Sequence, residues 1–171
     1  MSETTTAQNT RFRVLLALAL SVFIAVGGIV TAPSPAEAVS ASTYKSYVKK
    51  YCNKGYVFKS NQNLRKGVLA LASGNKLLFS KRLNSKSVTM RKYAARHECS
   101  HMLQFASPSG FTKLSNKANK MFGRTGYGGV EALADCMAQK MGSPKSVMRY
   151  QKKCSSSAKK LANKVIYKKR I

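Results

Sequence analysis

Two short segments hold most of the residues able to do acid–base or metal chemistry. His97-Glu98-Cys99-Ser100-His101 is an HExxH motif, and Glu131-Ala132-Leu133-Ala134-Asp135 follows as ExxxD. They contain both histidines of the 171-residue chain and all its acidic residues except Glu3 and Glu37. Imidazoles at i and i+4 converge on one ion only on a helix, where those positions share a face. Glu98, about 100° round the helix from His97, flanks that face without being forced to ligate. It is placed to act as general base, taking a proton from a metal-activated water and passing it to the amine of a cleaved peptide. Cys99, about 200° from His97, lies on the rear of the helix and is a poor ligand.

Two histidines leave a catalytic zinc one protein ligand short, and Glu131 is the candidate of good quality for the third. Asp135, one turn later on the same face, can accept the second N–H of a ligand imidazole and so fix its tautomer. The expected cofactor is therefore one zinc ion per chain, held by His97, His101 and Glu131.

The elements that must position these residues follow from capping and periodicity. Ser87 can cap a helix over 88–105, which has no Gly or Pro and is ended by Pro108 and Gly110. A second helix is expected over 129–141, closed by Gly142 before Ser143-Pro144. Upstream, Tyr56-Val57-Phe58 is a strand candidate, and 68–72 with 76–80 read as a hairpin turning at Gly74-Asn75. Further helices are expected over 111–122, 144–153 and 155–168. The class is α+β: a small antiparallel sheet followed by a helical bundle carrying the metal site on two helices. In the last helix Leu161, Val165 and Ile166 oppose a lysine face, a pattern that fits core packing better than attachment to an anionic surface.

HExxH and ExxxD on successive helices resemble the gluzincin branch of zinc metallopeptidases. The wording from His97 to Gln104 and from Glu131 to Cys136 is similar to small exported bacterial neutral zinc metallopeptidases. The resemblance covers about residues 93–141. It implies hydrolysis of peptide bonds in a peptide or protein substrate, with Glu131 as third ligand and Asp135 as partner of a ligand histidine. It also implies that an edge strand of the sheet binds substrate by strand addition. Gluzincin sites usually add a side chain that stabilises the oxyanion, often a histidine, and this chain has no third histidine. Tyr127, in the glycine-rich loop 123–129, is the nearest candidate, with Arg124 and Arg96 competing and simple packing of Tyr127 slightly ahead. The loop lacks the preceding strand and the lysine of a phosphate cradle.

Charge and targeting complete the picture. The chain has 31 Lys and Arg against 5 Asp and Glu, a formal charge of +26, yet is 44% hydrophobic, enough for one packed domain, so the charge does not by itself mean a disordered basic tail. Arg11 and Arg13 precede an apolar run over 14–30, and Ala36-Glu37-Ala38 supplies a small-x-small cleavage site, so residues 1–38 read as a signal peptide and 39–171 as the exported domain. An uncleaved membrane anchor is the competing reading. Removing Arg11, Arg13, Glu3 and Glu37 leaves the balance at +26. Such a field favours acidic partners, a cell-wall polymer or an anionic membrane surface rather than nucleic acid, or else simply solubilises the protein. Four cysteines suit two disulfides in a secreted or envelope-associated protein, and of three connectivities we expect Cys99–Cys136 and Cys52–Cys154. The alternative function is a non-enzymatic cationic envelope-binding protein whose zinc site is structural or vestigial.

Overall fold

The computed structural model describes residues 38–52 and 54–171; the expected signal peptide lies outside the described residues, apart from Ala38 at its end. Helix α1 (Ala41–Val48) is capped by Ser40, whose hydroxyl accepts the Thr43 N–H. Three strands follow: β1 (Val57–Gln62), β2 (Ala70–Ser73) and β3 (Lys76–Ser80). Then come α2 (Val88–Phe105), α3 (Phe111–Phe122), α4 (Gly128–Lys140) and α5 (Ser156–Ile166). The class is α+β, as expected, with one short helix ahead of the sheet.

The hairpin forms as the Gly74-Asn75 pair requires, with Gly74 at φ +57 and Leu71 opposite Leu78 in an antiparallel ladder. The sheet as a whole is not antiparallel. Its order is β1-β3-β2, and β1 runs parallel to β3, pairing Phe58 with Leu77 before a bulge beyond Lys59. The cause is the excursion 63–69, which carries the chain from β1 past the place β3 will occupy, so β2 becomes an edge. That excursion is clamped by Arg82, whose guanidinium donates to the carbonyls of Leu64 and Val68, each at 2.9 Å, and of Arg65. All three bonds come from Nη2, whose N–H groups are shared among carbonyls outside any ladder, while Nε donates to the Ser80 hydroxyl.

Beneath the sheet Leu77 and Phe79 are fully buried, with Phe79 stacked on Tyr44 of α1 at 4.1 Å between centroids. On the other side of α2 the core continues through Leu103, Leu133, Met137, Leu161 and Val165. The apolar face of α5 is buried, so that helix is a packed element with a solvated lysine face. Glycine matters at one close approach: a Cβ on Gly129 would collide with the backbone and side chain of Asn119, whose Oδ1 accepts the Gly129 N–H at 2.9 Å. The glycine-rich loop thus lets the start of α4 press against α3.

Two expectations are corrected. Residues 144–153 do not form a helix; a single 3₁₀ turn (Lys145–Val147) precedes an irregular stretch with bends at 149–150 and 152–153. The N–H groups of Tyr150 and Gln151 donate to the Asp135 carboxylate instead of to a helical ladder. The cysteines do pair as two disulfides, but as Cys52–Cys99 and Cys136–Cys154. The facing sides of α2 and α4 are those of His97 and Glu131. Cys99 lies about 200° from His97 and Cys136 about 140° from Glu131, so both, though buried, point away from the contact between α2 and α4 and each bonds to a third segment.

Candidate metal centre

Helix α2 starts where Ser87 accepts the Met90 N–H and runs unbroken to Phe105, which brings His97 and His101 onto one face a turn apart. Their rings meet edge to face at 4.8 Å, with the two Nε2 atoms 3.1 Å apart. Glu131, in the first turn of α4, sets Oε2 3.0 Å from His97 Nε2 and 3.4 Å from His101 Nε2. The three sequence-predicted ligands are thus together and can hold a metal ion.

The fit can be tested on the donors. Tetrahedral ligands about 2.05 Å from zinc lie about 3.3 Å from one another, and these three separations match that spacing. The far nitrogens agree. His97 Nδ1 is 3.0 Å from Asp135 Oδ1, and His101 Nδ1 is 2.9 Å from Gln104 Oε1. Gln104 is oriented by its own amide, which donates to the Val130 carbonyl at 2.9 Å. With both Nδ1 atoms donating, both Nε2 atoms present lone pairs to each other and to a carboxylate, an arrangement that calls for a cation between them.

In the metal-free protein a proton on His97 takes the place of that cation, so that Nε2 donates to Glu131. Burial alone would lower the His97 pKa, but hydrogen bonds to Asp135 and Glu131 outweigh it and raise the imidazole to about 10. Burial pushes the Glu131 carboxyl up, yet contacts with His101 and His97 dominate and hold it at about 2. Asp135, fully buried, is likewise held below the usual range, against its burial, by His97. Tyr93 adds a 2.7 Å hydrogen bond to the same Oδ1. Glu98 goes the other way: burial raises its carboxyl, and the pull of the two imidazoles does not cancel that.

The donors open onto a cleft with two lobes that share Ala70, His97, Glu98 and Tyr150. One wall is the edge strand β2. Of the three oxyanion candidates, Tyr127 lies on the rim, 72% exposed. Arg96 packs against Gly142 and Ser143, outside the cleft. Arg124 donates to the Tyr150 carbonyl at 2.8 Å and so braces a neighbour. Sequence reasoning missed that neighbour. Tyr150 stacks on His97 at 5.6 Å with planes 23° apart, is 43% exposed, and keeps its hydroxyl protonated because burial and the Glu131 charge raise its pKa. A helix over 144–153 gave no reason to look there. Gln104 was missed too, although a polar residue three positions after a ligand histidine is the natural acceptor for its second nitrogen.

No family model, curated protein or solved structure matches this chain.

Proposed function

We propose that the protein is an exported zinc-dependent endopeptidase of gluzincin type. The observation that carries this reading is Glu98. It is a carboxylate buried beside both imidazoles, lining the cleft with them, and standing outside the trio that converges as ligands. A structural zinc takes four protein ligands and has no use for a base. Among the described residues three donors converge, and all three line the cleft together with Glu98.

Zinc held by His97, His101 and Glu131 would polarise the substrate carbonyl and make water acidic enough to attack at neutral pH. Glu98 takes the proton of the attacking water on its carboxylate and returns it to the departing amine nitrogen. Its raised affinity for a proton suits both halves of that transfer. Asp135 and Gln104 hold the two imidazoles with Nε2 free to ligate. The Tyr150 hydroxyl, at the cleft and protonated, donates to the oxygen that gains charge. Strand β2, hydrogen-bonded only to β3 in the sheet, has its other edge available to an extended peptide.

Export accords with the two disulfides, and among the described residues no helix is long and apolar enough to cross a membrane. The three described carboxylate side chains all sit in the metal centre, so the exterior is cationic, which favours retention on an acidic wall polymer or anionic surface. That exterior is also what supports a binding protein without turnover.

Zinc content and cleavage of casein, wild type beside Glu98→Ala, separate the readings. The peptidase predicts zinc in both proteins and cleavage by the wild type alone, abolished by a chelator. Zinc in both with cleavage in neither leaves the envelope-binding protein.

A further inference from the structure

A cavity of about 670 Å³ opens between the C-terminal end of α4, the 3₁₀ turn Lys145–Val147 and the start of α5. Lys140, Lys145, Lys159 and Lys160 border it, at least one from each of these elements, and all four are exposed. The two lobes of the metal cleft, of about 130 and 200 Å³, have one Lys or Arg between them, Arg149. The lysine cavity shares no lining residue with either lobe, so cavity and cleft can be filled at the same time.

Local forces account for only one of these lysines. Lys140, in the last turn of α4, suits the negative end of that helix. Lys159 closes the first turn of α5 and Lys160 follows it, at the end where the helix dipole disfavours a cation. Among the described residues no Asp or Glu borders the cavity, because all three described carboxylate side chains sit in the metal centre. Four ammonium groups therefore stand round one hollow with no counter-charge from the protein, an arrangement that costs free energy until an anion enters. The walls are held against that repulsion. The Cys136–Cys154 disulfide ties α4 to the segment that leads into α5, and Cys136 is itself part of the lining.

We infer that this cavity binds a linear anionic polymer through its phosphodiester groups, at a site separate from the metal centre. The inference goes beyond the peptidase reading and holds whether or not the metal centre turns over. Lysine meets a phosphate oxygen as a point charge, whereas a planar carboxylate is matched best by the fork of an arginine, and among the described residues no arginine borders the cavity. Gln139 and Asn163 add amide donors for further oxygens. The lining has no aromatic ring on which a nucleobase could stack, and none of the exposed large apolar side chains that would enter a bilayer. The volume is that of sites enclosing ligands of many atoms rather than single ions.

The test must separate a site from the charge of the whole chain, so it compares two variants of equal charge. Lys140→Gln with Lys159→Gln removes two lysines from the cavity. Lys113→Gln with Lys117→Gln removes two exposed lysines of α3 that border neither the cavity nor the cleft. A glycerol-phosphate oligomer is titrated onto each protein and onto wild type at about 0.15 M salt, where exposed charges beyond about 8 Å are screened. The cavity pair is expected to weaken binding about tenfold or more, and the α3 pair less than about twofold, with zinc content and melting temperature unchanged in both. Equal weakening by the two pairs, or no binding by wild type, overturns the site. Poly-glutamate, oligothymidylate and phosphatidylglycerol vesicles are titrated in parallel. If any of them binds wild type more tightly than the oligomer and loses more to the cavity pair than to the α3 pair, the phosphodiester polymer is the wrong occupant. Weaker binding of all three upholds it.

Discussion

Asp135 and Tyr150 are joined by a 2.7 Å hydrogen bond in which the Tyr150 backbone N–H donates to Oδ2, while the other oxygen of that carboxylate holds His97. One buried group therefore sets the tautomer of a ligand and the position of the ring stacked on it. Ligand geometry and the cleft wall are not independent, because both hang from the same side chain in α4.

Asp135→Asn should expose that coupling. An amide can accept from His97 Nδ1 with its oxygen, but its NH₂ then faces the N–H groups of Tyr150 and Gln151, donor against donor. Zinc affinity, measured by chelator competition, is expected to fall about 10- to 100-fold. Unchanged affinity would mean that the hold on His97 does not depend on the Tyr150 and Gln151 N–H groups seated on the other oxygen.

Tyr150→Phe keeps the ring against His97 and removes only the hydroxyl. If that hydroxyl donates to the oxyanion, kcat should drop about 100-fold while KM and zinc content hold. Equal turnover in the two proteins would send the role to another group, with Tyr127 next on the rim.

The pH dependence differs in sign between the metal-free and metal-loaded protein. Without metal, His97 is raised from 6.5 to about 10, so its contribution to stability is fully present below pH 6.5 and lost as pH rises through 10. Glu131 is lowered from 4.5 to about 2, so its contribution is present above pH 4.5 and lost as pH falls through 2. As far as these groups decide, metal-free stability peaks between those limits. Zinc requires the imidazole neutral and displaces its proton, so affinity should keep climbing with pH until about 10, the value to which His97 is raised. Titration calorimetry in buffers of different ionisation enthalpy should register the released proton; a buffer-independent heat would refute the exchange.

The two disulfides should contribute unequally. They close loops with sequence separations of 47 and 18, for which chain entropy predicts about 4 and about 3 kcal/mol. Replacing Cys52 and Cys99 by serine should therefore lower the melting temperature more than replacing Cys136 and Cys154. The second pair should lower turnover more, because Cys154 tethers the stretch that carries Tyr150. The opposite order in both assays would separate Tyr150 from that tether.

Much of the site was legible because its logic is local. The i, i+4 histidines and the i, i+4 acids each need only one helix, Ser87 and Gly142 mark their ends, and a scarcity of carboxylates left few other ligands. The hairpin was legible for the same reason, since Gly74 fixes it within a few residues. What was not legible depends on segments distant in sequence. The parallel pairing of β1 with β3 follows from where the excursion 63–69 is clamped. The loss of helix over 144–153 follows from a buried carboxylate that outcompetes the helical ladder. The cysteine pairing was half legible: the angle that disqualified Cys99 as a ligand also turned it from α4, and Cys136 needed the same reasoning.

The Arg82 clamp reads only main-chain carbonyls of the segment that ends at the cleft wall. Side chains at Leu64, Arg65 and Val68 can therefore be exchanged without altering what holds their backbone. The rim beside the candidate metal centre is free to drift in sequence while its shape is kept, so what the cleft accepts can diversify across descendants of this chain without each change having to re-solve the fold.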